Sequence, residues 1–135
     1  MSRIETDICI IGGGSGGLSI AAGAVQMGAR VVLIEAHKMG GDCLNYGCVP
    51  SKAIIAAGKQ AQAMRDGAKF GIKPVEPEID YAKVHEHIHG VIAAIEPNDS
   101  VERFEGLGVQ VIKAAGEFVD QDTLQAGDTL IKARR

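Results

Sequence analysis

The sequence predicts an α/β fold: a parallel sheet built around a βαβ unit, with a small antiparallel β-meander at its end. Three observations carry that prediction. Two short apolar runs rich in β-branched residues, 7–11 (DICII) and 30–35 (RVVLIE), have the unbroken hydrophobicity of strands covered on both faces. Between them a glycine cluster is followed by apolar residues at helical spacing, and strand, tight turn, helix and strand within about 30 residues form a βαβ unit. The last twenty residues carry short strand-like segments separated by turn residues.

The first strand covers 7–11, and the first helix follows Gly17, with Leu18, Ala21, Ala22 and Val25 on one face and Gly28 as its stop. The second strand ends on Glu35. A loop with Gly40, Gly41 and Gly47 leads to a helix over 50–64, where Pro50 suits the first turn. Residues 67–79 hold two glycines and two prolines and read as a surface connection. Asp80 caps a helix with Val84, Ile88, Val91 and Ile95 as its apolar stripe, and Pro97 interrupts it before further turns over 101–107. Val109–Ile112 returns to the parallel sheet, and 116–119, 123–126 and 129–133 form the meander, turning at 120–122 and 126–128.

With 135 residues and 14.1 kDa the chain suits one domain. Eighteen glycines exceed the usual ~7% of residues and have no Gly-X-Y period, so they serve tight turns or close ligand approach. A net charge of −3 offers no positive field for a phosphate polymer, which excludes nucleic acid as a partner. Residues 8–29 lack charge, yet they contain seven glycines and follow Glu5 and Asp7, which argues against membrane insertion and against a signal peptide. Three cysteines without a secretion signal point to redox or metal chemistry in a reducing, cytoplasmic setting rather than to a structural disulfide framework.

Two motifs carry chemistry. In Gly12-x-Gly14-x-x-Gly17, Gly12 permits the tight turn, Gly14 lets backbone approach a pyrophosphate, and Gly17 lets helix pack on strand. The helix N-terminus behind Ser15 and Gly16 offers free N–H groups, and Glu35, 18 residues on, suits the two hydroxyls of an adenosine ribose while repelling a 2′-phosphate. This is an adenine-dinucleotide site.

The second motif is Cys43-Leu44-Asn45-Tyr46-Gly47-Cys48, followed by Val49-Pro50-Ser51-Lys52. Two thiols five residues apart can close a small ring, and Cys48 lies just before a helix. The helix dipole contributes only ~0.3–1 kcal/mol, up to ~2 in a favourable site. Lowering a thiol from ~8.5 to below 6.5 takes ~2.7 kcal/mol, so a cofactor or a base must help. From the residues alone, two unrelated buried thiols and half of a metal site remain open alternatives. His85 and His89 share a helix face at i, i+4, but the sequence places no third ligand near them, so these and His87 read as a solvated face and no metal site is assigned. Cys9 reads as a core residue.

GGGSGG, the acid-terminated strand, GGDCLNYGCVPSK and the terminal meander together resemble the N-terminal part of the FAD-dependent pyridine nucleotide-disulfide oxidoreductases, across essentially the whole chain. Ser51 before Lys52 is more similar to the dihydrolipoamide dehydrogenase and mercuric reductase branches than to glutathione reductase. The resemblance implies a Rossmann-like FAD-binding domain, with FAD as the dinucleotide and NAD(P)H as co-substrate. It further implies Cys43 as the interchange thiol meeting a small disulfide, dithiol or metal-ion substrate, Cys48 as the charge-transfer thiol against the flavin, and Lys52 beside the flavin. Ala36, Gly41 and Asp42 then join the cofactor contacts, with Ala115 offering backbone to the adenine. Asp42 stands where many relatives have Thr, and Tyr46 replaces a common Val.

Family members are much longer, so residues 1–135 are expected to be the N-terminal part of the FAD domain, incomplete at its C-terminus. The nicotinamide-binding domain and the dimerisation domain of a homodimer are expected to be absent from this chain. The expected function is a fragment of a disulfide oxidoreductase, inactive alone; the alternatives are a non-catalytic nucleotide-binding module and a thiol module for a soft metal.

Overall fold

A computed structural model describes Met1–Arg135. Seven strands, β1 (Ser2–Thr6), β2 (Ile8–Ile11), β3 (Val31–Ile34), β4 (Gln110–Ile112), β5 (Gly116–Phe118), β6 (Thr123–Ala126) and β7 (Thr129–Ala133), form two sheets. Helices are α1 (Ser15–Gln26), α2 (Gly41–Asn45), α3 (Cys48–Arg65), α4 (Tyr81–Ile95) and α5 (Val101–Gly106). One sheet is parallel, in the order β2-β3-β4; the other runs β1-β7-β6-β5, antiparallel except for the parallel pair β1–β7. The predicted α/β fold with its βαβ unit and its meander is what forms.

The alternation of side chains along β3 explains its unbroken apolar run. Val31 and Leu33 face a core with Ile10 of β2, Leu18 and Ala21 of α1, Phe104 of α5 and Val109 just before β4. Val32 and Ile34 face the opposite way, onto Leu124, Ala126, Ile131 and Ala133 of the meander. The result is three layers, helices on parallel sheet on meander, with β3 buried from Val31 to Ile34.

Three expectations need correction. Ser2–Thr6 is a strand that the sequence reading omitted: it holds one core-facing aliphatic residue, Ile4, and owes its form to pairing with β7 rather than to its own pattern. The chain breaks at Asp7, whose carboxylate takes the Arg30 guanidinium and backbone N–H, so β2 starts at Ile8. The glycine loop after Gly40 contains a short helix, α2, and α3 starts at Cys48 rather than at Pro50.

Asp80 caps α4 as expected, accepting the N–H groups of Ala82 and Lys83, and the stripe of α4 is half-buried where α4 packs on α3. No helix is long and apolar enough to cross a membrane.

Candidate functional site

The site forms where the glycine turn after β2 meets the glycine turn before α2. Gly12 adopts φ +104°, a left-handed conformation that L side chains rarely take, and its N–H donates to the Ile34 carbonyl at 2.7 Å. Gly17 allows α1 to sit on the turn, since a Cβ there would lie 1.9 Å from the Gly12 carbonyl oxygen. Gly14 precedes α1 in extended conformation, and no side chain caps the helix, leaving the N–H groups behind the exposed Ser15 and Gly16 open to an anion.

The second turn is pressed against the first. Gly40 donates its N–H to the Gly13 carbonyl at 2.8 Å. Gly41, at φ +59°, sits so close that a Cβ on it would meet the Gly14 Cα at 2.7 Å. This back-to-back contact sets the start of α2 beside the start of α1.

Glu35 is buried, and both of its carboxylate oxygens are engaged: Oε2 accepts the Gly13 N–H and Oε1 the His37 N–H, each at 2.6 Å. It borders a groove of about 690 Å³ that also takes in His37, Lys38, Gly41, Asp42 and Tyr46. Three of the predicted residues, Glu35, Gly41 and Asp42, are therefore brought together. Ala36 lies exposed at the bend after Glu35 and Ala115 exposed between β4 and β5, and neither borders this groove. Sequence reasoning missed His37 and Lys38. His37 contributes through its backbone, which side-chain identity does not reveal; Lys38 lies 5.6 Å from the centre of the Tyr46 ring, a cation–π contact that joins two residues eight apart.

On the other side of α2, Cys43 lines a smaller groove of about 390 Å³ with Ser15, Gly40, Val49, Asp99 and Arg103. Cys48 is the first residue of α3, after Gly47, whose missing Cβ would lie 2.9 Å from the Asp42 carbonyl oxygen. Glycine at 47 is what lets α2 and α3 pack so closely that the two thiols meet. All three cysteines are unpaired; Cys43 is half-buried and Cys48 exposed. The neighbouring Cys48 side chain pushes the Cys43 thiol up from its ordinary value, with burial and the Cys48 and Asp99 charges adding to it and the Cys48 N–H opposing. Lys52 is exposed one helical turn beyond Cys48. Cys9 stands apart against the meander core, and burial pushes it up to about 11.

Comparison with known proteins covers the same residues. Residues 6–135 match the family described as pyridine nucleotide-disulphide oxidoreductase. Dihydrolipoyl dehydrogenase of Geobacillus stearothermophilus is 37% identical over 123 residues, 90% of this chain and 26% of that protein. The Bacillus subtilis (strain 168) dihydrolipoyl dehydrogenase is 35% identical over 93% of this chain and 26% of its own length. Mercuric reductase of Lysinibacillus sphaericus is 30% identical over 96% of this chain and 24% of its own. The chain thus spans about a quarter of the length of these relatives. Because the family match extends through every residue of both grooves, the chain belongs to the pyridine nucleotide-disulphide oxidoreductases.

Proposed function

We propose that residues 1–135 form the FAD-binding, thiol-bearing portion of a disulfide oxidoreductase that passes electrons from NAD(P)H to Cys43 and Cys48 and on to a small disulfide, dithiol or metal-ion substrate. The observation that carries this reading is the placement of two free thiols, Cys43 on α2 and Cys48 at the start of α3, on either side of the close contact at Gly47. The chain spans 26% of its Geobacillus stearothermophilus relative, and the same proposal assigns nicotinamide binding and homodimerisation to the rest of a protein of that length, working in a cytoplasmic setting.

The residues present fit a dinucleotide. The close approach of Gly41 to Gly14 and of Gly17 to Gly12 leaves bare backbone where a Cβ would intrude, and the uncapped start of α1 favours the negative charge of a pyrophosphate. Glu35 has further acceptor capacity on its two oxygens for ribose hydroxyls. FAD, when bound, supplies the two-electron link between NAD(P)H and the thiol pair.

The thiols do the rest. Cys43, lining its groove, attacks a substrate disulfide as thiolate; one substrate sulfur leaves as thiolate and the other stays in a mixed disulfide. Cys48 then attacks the Cys43 sulfur, which releases the second substrate thiolate and forms the Cys43–Cys48 disulfide. Two electrons pass to substrate, and run in reverse the same exchange oxidises a dithiol. The raised Cys43 value keeps its proton on until a base takes it, so Cys43 needs an activating group that the longer protein would provide.

Two measurements on the purified chain test the reading. In a glutathione redox buffer, mass spectrometry should find two hydrogens lost and a peptide link between Cys43 and Cys48, with Cys9 free. ADP should compete with FAD in a flavin-fluorescence titration. Failure of the pair to oxidise, or FAD binding untouched by ADP, overturns it.

A further inference from the structure

Helix α4 carries a second group of ligand-type side chains. The Nε2 atoms of His85 and His89 lie 3.1 Å apart, with ring centroids 4.3 Å apart and ring planes tilted by 54°. Both residues are exposed. At this separation one Nε2–H donates to the lone pair of the other, which brings the two nitrogens within reach of a single ion.

We propose that His85 and His89 form a two-point clip for a divalent transition ion, taking Cu2+, Ni2+ or Zn2+. Two nitrogens each ~2.05 Å from one ion and 3.1 Å from one another subtend an angle of about 98°. That value lies between the ~90° of square-planar and the ~109° of tetrahedral coordination, so a single ion spans the two nitrogens once the rings turn off their shared hydrogen bond. Binding also requires that the donating ring move its proton from Nε2 to Nδ1, which frees the second lone pair and releases no net proton. No third His, Cys, Asp or Glu completes a protein cage, so water takes the other positions. His89 also borders a groove with Glu96 and Glu102 opposite the single cation Lys38, and this excess of negative charge draws a cation toward the clip. Imidazole pairs follow the Irving–Williams order, which places Cu2+ above Ni2+ and Zn2+.

His87 supplies an internal control, because a residue two positions along a helix points to a different face from His85 and His89. The test uses the full chain with Cys43→Ser and Cys48→Ser, which removes the competing thiol pair, and titrates NiCl2 by calorimetry. One saturable site is expected, lost in His85→Ala and in His89→Ala and retained in His87→Ala. Circular dichroism checks that α4 persists in each variant, and His89→Gln keeps the side chain's bulk if the alanine variant loses helix. Electron paramagnetic resonance with Cu2+ alone should count two nitrogen ligands, and one in either single variant. No saturable Ni2+ site, retention of it without His85 or His89, or its loss in His87→Ala overturns the clip.

Discussion

The Gly13 N–H donates to the buried Oε2 of Glu35 at 2.6 Å, so the acid that closes β3 also pins the glycine turn that follows β2. Its other oxygen takes the His37 N–H. The same carboxylate that the sequence reserves for a ribose is therefore a structural acceptor before any ligand arrives. Glu35→Ala should lower folding stability by roughly 1.5–3 kcal/mol even without dinucleotide, the range for hydrogen bonds to a charged group. Urea denaturation of the chain alone measures it. An unchanged midpoint would mean the two amides find other partners at no cost.

Neighbouring glycines of the turn should respond in opposite directions. Gly17→Ala drives a methyl to 1.9 Å from the Gly12 carbonyl oxygen, with backbone on both sides, and should cost on the order of 3 kcal/mol. Gly16 is also in α1, but nothing lies within 4 Å of a Cβ there. Gly16→Ala should stabilise by about 0.5–1 kcal/mol, because alanine loses less backbone freedom in a helix. Thermal melts of the two variants read the contrast, and equal effects would show that the turn can relax around Gly17.

The parts of the fold that the sequence discloses are those whose pattern comes from their own burial. β3 is legible because both its faces are covered, and α4 because Asp80 and the stripe from Val84 to Ile95 declare it. β1 is illegible because its form comes from β7, more than a hundred residues away. α2 hides behind Gly40 and Gly41, which read as loop because both adopt positive φ, although the second is a helix's first residue. The site divides the same way. Gly12, Gly17 and Glu35 are visible through spacing, and Cys43 and Cys48 through their motif. The His37 amide that holds Glu35 is a backbone group whose role depends on a bend, and no residue type encodes that.

The pairing of Asp7 with Arg30 should show in acid. Two side-chain hydrogen bonds at 3.0 and 3.1 Å and one from the Arg30 backbone hold the Asp7 carboxyl down to about 2, against an ordinary 3.8. A carboxyl lowered in this way contributes stability that is complete above pH 3.8 and lost as the pH falls through 2. Asp7→Asn keeps one oxygen for the Arg30 N–H and removes the charge together with the second acceptor. Wild type should therefore melt above Asp7→Asn at pH 5, with the gap closing toward pH 2. A gap independent of pH would assign the effect to packing rather than to the ion pair.

The reactivity of the three thiols follows from their surroundings. Cys48 is exposed at the start of α3; Cys43 is half-buried, and the neighbouring Cys48 side chain pushes its thiol up. Cys9 is half-buried in the parallel sheet, pushed up to about 11 by burial alone. Since the thiolate is the nucleophile and access limits its rate, iodoacetamide at pH 8 should label Cys48 first, Cys43 second and Cys9 last. Peptide mass spectrometry over a time course reads all three. The roles proposed for the pair add a second expectation: a flavin lying over Cys48 should slow its labelling and leave Cys43 as the first to react. Repeating the time course with saturating FAD separates the two statements. If FAD protects Cys43 instead, the proposed roles of the thiols are exchanged; if the order without FAD already begins at Cys43, the neighbouring Cys48 side chain does not govern its reactivity.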